Sequence, residues 1–562
     1  MTDDFDARLA LIQSQMTAPG APFELEWVEQ GGQKLAAYAR ACKTLPELIQ
    51  SGRVHGDKPF IVYQGDNWSF TRFFAQVDAL SARLREDFHL QPGDRVAIAM
   101  RNRPEWAVAF AAVALLGAVP APLNSFGVRD ELLAGLRDIE PKLLFVDAER
   151  LQRLSGDLET LGFPVVVVGS AVAPELSYEE LCSRQAAPAI LPELGPEDPA
   201  LILFTSGATS QPKGVLSGQR ALCQALCNID YIGACAAMSS PAALQTVMQR
   251  GLLPTVLTAV PLFHVSGLHA QLLASLRNGR RLVFMHRWDP QTALSLMREH
   301  QVTQFNGAPS MVLQLLAEPG FDDKAVVGNL SGLGFGGAGL PQRAIDAVLG
   351  RVKPSLSGVG YGLTESNGVG SAVAGDGFVQ RPTSSGLISP IMQLRLMELD
   401  GSEAARGQPG EVWLRGVSLM QGYWRQPEAT RTALHDGWFR SGDIGVLDAA
   451  GYLSIVDRIK DVINRMGEKI AAAEIESCLL QHPEVSEAAV FAQPDLQTGE
   501  AVAAVVVLRE HSLVDAEALR RHVAGRLAAY KVPLIIHLRF EALPRNPTGK
   551  LLKQQIKQQY LG

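Results

Sequence analysis

The stretch Leu203-Phe-Thr-Ser-Gly-Ala-Thr-Ser-Gln-Pro-Lys-Gly-Val215 limits this chain more than any other part of it. It passes from a buried-strand pattern into a loop of hydroxyls, glycine and one lysine. Backbone N–H groups, hydroxyls and a cation in such a loop can wrap phosphate oxygens. A Walker A loop needs Gly-x4-Gly-Lys-Ser/Thr. Counted from Gly207, Pro212 stands in the place of the second glycine and Gly214 follows Lys213. A nucleotide fold other than the P-loop type must therefore hold the phosphates.

The pattern around this loop is α/β. Phe70 to Glu86 is amphipathic, Arg95 to Met100 reads as a buried strand, and Pro104 to Leu116 as a helix opened by proline. Leu143–Asp147 and Val165–Val168 are short continuous apolar strands. Such alternation implies α/β layers with mostly parallel sheets, whose ligands bind at loops beyond the strand ends. From about residue 381 to 457 the texture turns to β, with Glu411–Arg415 and Gly451–Val456 as strands. After Lys460 a compact α/β segment follows: helices over Ala473–Gln481 and Asp515–Ala529, and strands at Glu487–Phe491, Ala501–Leu508 and Ile535–Phe540. At 562 residues the chain exceeds one hydrophobic core. The expected division is a large N-terminal domain of α/β layers over 1–457, with a β-rich subdomain at about 381–457, and a small mobile α+β domain over 458–562.

Composition narrows the class. Apolar residues at 47% and charged residues at 19% describe an ordinary globular enzyme. A net charge of -7 leaves no basic excess for nucleic acid. The acidic N-terminus lacks a signal-peptide core, and the longest apolar run, Trp106 to Val119, is too short for a membrane span. Six cysteines in so long a chain form no disulfide framework, and Cys223, Cys227 and Cys235 read as small core residues rather than metal ligands. A cytoplasmic location is expected.

Four more motifs carry chemistry. Gly360-Tyr-Gly-Leu-Thr-Glu-Ser366 follows the glycine-rich Gly334–Leu340. Glycines let a flat ring approach backbone, Tyr361 can stack on it, and Glu365 can offer oxygen to Mg²⁺. The same residues would also serve a tight turn and a helix N-cap at Thr364. In Gly437-Trp-Phe-Arg-Ser-Gly-Asp-Ile-Gly445, Asp443 can accept two ribose hydroxyls, or the stretch is a hairpin turn. Val456-Asp-Arg-Ile-Lys-Asp461 comes next, and Pro544-Arg-Asn-Pro-Thr-Gly-Lys550 presents a lysine on a stiffened loop.

In this order the motifs resemble the acyl- and aryl-CoA ligase branch of the adenylate-forming superfamily, which includes firefly luciferase and peptide-synthetase adenylation domains. The resemblance takes in Gly93–Ile98, Asn102–Trp106 and Pro261–Gly267 and covers nearly the whole chain. It implies that a carboxylate attacks the α-phosphate of ATP, giving an acyl-adenylate and pyrophosphate, and that the thiol of CoA then displaces AMP. It assigns Thr205, Ser206, Gly207, Ala208, Thr209 and Lys213 to the phosphates, and Glu365 with Thr205 to Mg²⁺. Gly337, Ala338, Tyr361 and Gly362 would frame adenine, Thr364 would meet the α-phosphate, and Asp443 and Arg458 the ribose. Lys550 would bridge the carboxylate and α-phosphate. Lys460 matches the hinge about which the small domain rotates between half-reactions, and Gly467 would line the CoA tunnel.

Four positions depart from the family pattern. Ala208 replaces the usual Ser or Thr, Ser210 the usual Gly, Met466 a glycine, and Asp457 stands before the arginine where Gly is typical. His264 occupies the position where amino-acid-activating relatives carry an Asp, which disfavours an amino acid and suits a CoA ligase. The acyl pocket is expected around His264, Asn306, Gly307, Gly336 and Gly360, small and apolar enough for a bulky hydrophobic acid. Medium- or long-chain fatty acids lead, with aryl, terpenoid or steroid side-chain acids as alternatives, and an acyl-AMP ligase feeding a separate carrier protein as a variant acceptor. The resemblance leaves room for a homodimer and peripheral membrane contact. The Pro544-x4-Gly-Lys550 motif resembles the site where a lysine acetyltransferase silences bacterial CoA ligases.

Overall fold

The computed structural model describes residues 2–169, 176–205, 212–336, 342–398, 400–465, 468–495 and 498–561. Ser206–Gln211, Gly337–Pro341, Met466 and Gly467 are outside the described residues. The expectations placed on Ser206, Gly207, Ala208, Thr209, Ser210, Gly337, Ala338, Met466 and Gly467 therefore lie outside them too.

The N-terminal layers form where the apolar runs demand burial on two faces. Five parallel strands run in the order Val119–Pro122, Arg95–Ala99, Leu143–Asp147, Val165–Val168 and Leu176–Ser177. The helix Phe70–Glu86 starts where Ser69 accepts a hydrogen bond from the Arg72 amide, and it buries Phe70, Phe73, Phe74, Val77 and Leu80. Pro104–Leu115 packs beside it, buried along nearly its whole length. Each fully buried large side chain here contributes about 1.5–3 kcal/mol relative to exposure.

Next come the antiparallel strands β1 (Pro199–Phe204) and β2 (Gly214–Gly218), which flank the hydroxyl-rich loop, and the helix α1 (Gln219–Ser239). By length and hydropathy α1 could cross a membrane. Its buried polar groups are instead paired inside the protein. Gln224 exchanges hydrogen bonds with the Tyr38 backbone at 2.7 and 3.0 Å. Asn228 donates to the Val369 carbonyl at 2.8 Å and to Ser389 Oγ at 3.0 Å. Buried polar groups satisfied this way mark a core helix. Cys223, Cys227 and Cys235 are buried along it, and all six cysteines are free.

A nine-stranded sheet forms the centre. Its order is Asp66–Ser69, Pro59–Tyr63, Arg281–Phe284, Thr255–Thr258, β3 (Gln304–Gly307), Gly332–Phe335, β4 (Gly358–Leu363), β5 (Gly368–Ala374) and Leu387–Ile388. The strands from Pro59–Tyr63 to β4 are parallel, and antiparallel strands close both edges. The β-rich part follows as an antiparallel sheet of Met392–Met397, Gly410–Gly416, Leu434–His435, β6 (Trp438–Leu447) and β7 (Leu453–Arg458). The strand expected from Gly451 begins two residues later, because Gly451 turns the chain at φ +89°.

Beyond a short 3-10 turn at Ile459–Asp461 the small domain has its own core. The helices α2 (Ala472–Leu480) and α3 (Lys553–Leu561) lie against paired strands Val485–Asp495 and Gly499–Leu508, with Ile535–Arg539 added in parallel. The helix expected over Asp515–Ala529 is shorter: Asp515 caps it, it spans Ala516–Ala524, and Gly525 follows its last turn.

Candidate active site

The phosphate-loop end of the site is built on the β1–β2 hairpin. The Thr205 amide donates to the Lys213 carbonyl at 2.9 Å, and the Lys213 amide donates to Thr205 Oγ1 at 3.2 Å. The loop thus leaves and re-enters the sheet at one closed pair. The Lys213 ammonium lies 4.7 Å from the centre of the Tyr423 ring, a cation–π distance. Tyr423 lies opposite Val215 on the next strand and donates its hydroxyl to Glu365 Oε1 at 2.9 Å. Sequence reasoning missed Tyr423; its position depends on strand pairing and carries no local motif.

Glu365 sits in the 3-10 turn Thr364–Ser366. Thr364 is the first residue of that turn and not its cap. Ser366 Oγ takes the capping part by accepting from the Leu363 amide at 3.0 Å, and its single proton lies within reach of the Leu363 carbonyl at 3.1 Å and the Gly368 carbonyl of β5 at 2.9 Å. Asn367, at φ +56°, pins the turn to β2 through a 2.7 Å bond from Ser217 and to the Ser418 carbonyl at 3.0 Å. Burial pushes the Glu365 carboxyl above its ordinary range. A buried carboxylate facing neutral donors fits a hard, oxygen-seeking cation such as Mg²⁺. Among the described residues no group of three or more His, Cys, Asp or Glu side chains is placed to hold a metal by itself. That suits an ion completed by substrate phosphates and water.

The residues expected to meet the ribose form a paired triad with Tyr361. Asp443 on β6 lies opposite Arg458 on β7 and is 4% exposed. Its Oδ1 lies 3.1 Å from Arg458 Nε, and its Oδ2 accepts from the Tyr361 hydroxyl at 2.9 Å. A carboxylate has about four acceptor sites, so two remain for hydroxyls. The hairpin-turn reading of this motif holds, but at residues other than Asp443. Asp436 and Gly437, at φ +49° and +78°, make the hairpin turn, while Asp443 sits well down the strand. Gly362 is needed by the β4–β5 hairpin, since a Cβ there would stand 1.8 Å from the Gly368 carbonyl oxygen.

His264 has a buried Nε2 that meets no hydrogen-bond partner among the described residues, and burial lowers its pKa to about 4. It is therefore a neutral imidazole at physiological pH. Its ring lies 4.4 Å from that of Phe263. Val265 beside it packs against Gly368 on β5. Asn306 turns its amide toward Gly334 and Gln304, and its backbone carbonyl accepts from Gln271 at 3.3 Å. Gly307 and Gly360 are pressed by Phe305 and Val369, whereas a Cβ on Gly336 would meet nothing within 4 Å. Among the described residues, Gly336 is the expected pocket glycine whose Cβ would meet no neighbour.

Lys550 comes from the small domain on a turn organised by Asn546. The Asn546 side chain accepts from the Thr548 amide and hydroxyl and from the Lys550 amide at 3.1, 2.7 and 2.9 Å. Gly549, at φ +82°, docks this loop on the large domain. Ser310 Oγ donates to its carbonyl at 3.3 Å, and a Cβ there would come within 2.9 Å of Ala308 and Ser310. Burial, reinforced by Arg458, lowers the Lys550 pKa to about 8, while Asp443 opposes the shift. Lys460 lies in the 3-10 turn between the domains, and burial lowers its pKa too. The fold therefore gathers Tyr361, Asp443, Arg458, Lys460 and Lys550 at one place.

Residues 48–424 match the AMP-binding enzyme family, and residues 474–550 match its C-terminal domain. The chain belongs to the AMP-binding enzymes. It is 33% identical over 496 residues to the long-chain-fatty-acid–CoA ligase FadD13 of Mycobacterium tuberculosis, covering 87% of this chain and 93% of that one. It is 32% identical over 462 residues to the indoleacetate–CoA ligase of Aromatoleum aromaticum, covering 81% and 86%. Its fold is similar to ATP-bound MatB from Rhodopseudomonas palustris, with a TM-score of 0.80, 26% identity, and 91% and 99% coverage. This membership makes the chain an ATP-dependent, AMP-forming acid–thiol ligase that works with Mg²⁺ and CoA.

Proposed function

We propose that this ligase activates a hydrophobic carboxylic acid, with medium- or long-chain fatty acids as its class, in two steps that share one site. What supports the two-step reading is the docking of Gly549 on Ala308 and Ser310. That contact brings Lys550 between the segment expected to hold the acid and the Asp443–Arg458 pair. In the first step the acid carboxylate attacks the α-phosphate and pyrophosphate leaves. Negative charge grows on the α-phosphate oxygens, and Lys550 supplies a cation at that point. Thr205 and Lys213 hold the leaving phosphates, and Asp443 accepts ribose hydroxyls while Arg458 and Tyr361 fix its orientation. Glu365, oriented by Tyr423, and Thr205 would hold Mg²⁺, which neutralises phosphate charge when bound. Rotation about Lys460 then withdraws Lys550 and admits the CoA thiol, which attacks the acyl carbon and expels AMP. The boundary of the two moving parts lies at residues 457–460 in this reading.

The neutral His264 and the uncharged residues expected to line the acid pocket with it, Phe263, Val265, Gly336, Gly360 and Val369, favour an apolar acid and offer nothing to pair with a substrate ammonium. FadD13 carries a fatty-acid name and the Aromatoleum relative an aryl one, so a panel decides. Saturated fatty acids of graded length and a set of aryl acids are compared with ATP, Mg²⁺ and CoA, reading AMP and thioester. The expected outcome is highest kcat/KM for a fatty acid and AMP release that depends on CoA. A higher value for an aryl acid would overturn the substrate class, and CoA-independent turnover with an added carrier protein would overturn the acceptor.

Lys550 is also the proposed target of a lysine acetyltransferase. Because its ammonium is largely buried against Arg458 and Asp443, modification needs the small domain turned away. Saturating ATP plus acid should protect it from acetylation, as read by mass spectrometry. Equal labelling with and without them would count against this.

A further inference from the structure

The strand that carries Arg458 also makes a contact that the nucleotide chemistry does not use. Asp457 precedes Arg458 on β7, lies opposite Ile444 and is 7% exposed. One carboxylate oxygen accepts from the Arg458 amide at 2.7 Å. The other crosses the hinge and accepts from the Ala473 amide at 3.2 Å. Ala473 is the second residue of α2, and the residue in the cap position, Ala471, has no side chain that could accept a hydrogen bond. A helix start leaves amides without partners and carries partial positive charge, so an aspartate oxygen is favourable there on both counts. In α2 that oxygen is lent by the other domain.

The small domain answers with a cation as well. Lys553, the first residue of α3, pairs with Glu476 of α2 at 2.7 Å. Glu476 is itself fixed by the Val490 amide at 2.8 Å. Asp457 and Asp461 both lie near enough to favour the charged form of Lys553. Asp457 thus bonds a helix start on the small domain and lies within the field of a lysine there, three residues before Lys460. Arg343 donates to the Val485 and Ser486 carbonyls at 3.1 and 2.6 Å and Ser310 meets Gly549, so the two domains also touch at surfaces remote from the pivot in sequence.

Turning the chain about Lys460 carries Ala473 and Lys553 away while Asp457 stays on β7. We propose that Asp457 is a positioning residue that latches the small domain in the orientation delivering Lys550, and that this latch opens on each passage to thioester formation. The proposal rests on the two-step reading above. It deepens that reading by assigning a role to the residue that precedes Arg458.

Two variants test it, Asp457→Ala and Asp457→Asn. Asparagine keeps an acceptor for the Ala473 amide, and alanine does not. Hydrogen–deuterium exchange of the ligand-free chain is followed by mass spectrometry. In Asp457→Ala, uptake should rise about fivefold in rate at the start of α2 and in the 544–552 loop, the change expected from losing one helix cap. Uptake across Val485–Asp495 and Gly499–Leu508 should be unchanged, and Asp457→Asn should return both segments toward the native rate. With ATP, Mg²⁺ and dodecanoate as the probe acid, pyrophosphate exchange in Asp457→Ala should fall by a similar factor. Thioester formation from supplied dodecanoyl adenylate and CoA should not fall. Unchanged uptake at α2 and the 544–552 loop overturns the latch. So does a rise across the whole small domain, which would mean a purely structural role. A native chain that exchanges pyrophosphate with no acid would instead sink the ligase reading, while the deuterium measurement still decides the latch.

Discussion

The two ends of the candidate site are built on opposite principles. On the large domain, Asp443 is clasped by Arg458 and Tyr361, and Glu365 sits in a turn tied down by Ser366 and Asn367. Each of these groups is held in place by a hydrogen bond or ion pair from a neighbour on the same domain. Among the described residues Lys550 has no such clasp: its loop is ordered by Asn546 and rests on the large domain through Gly549. In the proposed two-step reaction, the difference separates what must be ready before ATP arrives from what must leave before CoA does. Preorganised dipoles and charges need no rearrangement at the moment of reaction. A compact ammonium on a flexible stem tolerates a changing geometry.

The sharpest way to break this contrast is Lys550→Ala. Acid-dependent pyrophosphate exchange should fall by about 10²–10³-fold, the scale of losing one donor at a developing oxyanion. Thioester formation from supplied acyl adenylate should change only a few-fold, and equal losses in the two assays would erase the distinction. Glu365→Gln should cost about 10²-fold in exchange. Unlike the lysine variant, it should also raise the Mg²⁺ concentration needed for half-maximal rate. The pH profile sharpens the mobile side. Lys550, with its pKa lowered to about 8, is cationic below that value and neutral above it. kcat/KM for ATP should therefore fall as pH rises through about 8, approaching tenfold per unit. A profile flat to pH 10 would remove Lys550 from that role. Tyr423→Phe removes one hydrogen bond to Glu365 and should weaken Mg²⁺ activation about fivefold, near 1 kcal/mol. Arg343→Ala loosens the docked domain without touching the site, and a two- to threefold loss in exchange is about what a partly exposed contact should give.

How much of this was legible in the sequence depended on the distance over which each feature is determined. The helix Phe70–Glu86 is found where its serine cap and apolar spacing place it, and Val165–Val168 is a buried strand because four valines admit little else. Asp443 and Arg458 could be singled out, but their direct pairing comes from the register of β6 on β7. The hydrogen bond from Tyr361 to Asp443 spans 82 positions and leaves no local trace. Tyr423 and Arg343 were invisible for the same reason. Glycines misled in one direction: Gly362 and Gly437 meet the steric needs of hairpins, so their presence in a motif reflects backbone geometry as much as ligand approach. Asp457 was legible as a departure and became intelligible only when its partner Ala473 was known.

The anchoring of Asn367 to Ser217 and Ser418 has a consequence for how such an enzyme can diversify. It couples the turn bearing Glu365 to the strand that leaves the phosphate loop, while the wall formed by Phe263, His264 and Val265 stands on a separate segment. Substitutions at Phe263 and His264 can drift and reshape the space proposed for the acid without acting directly on that turn, whereas Val265, which packs against Gly368, is tied to it through the bond from Ser366 to the Gly368 carbonyl. A lineage can explore new carboxylic acids one mutation at a time and keep the energy-coupling half of its chemistry intact throughout.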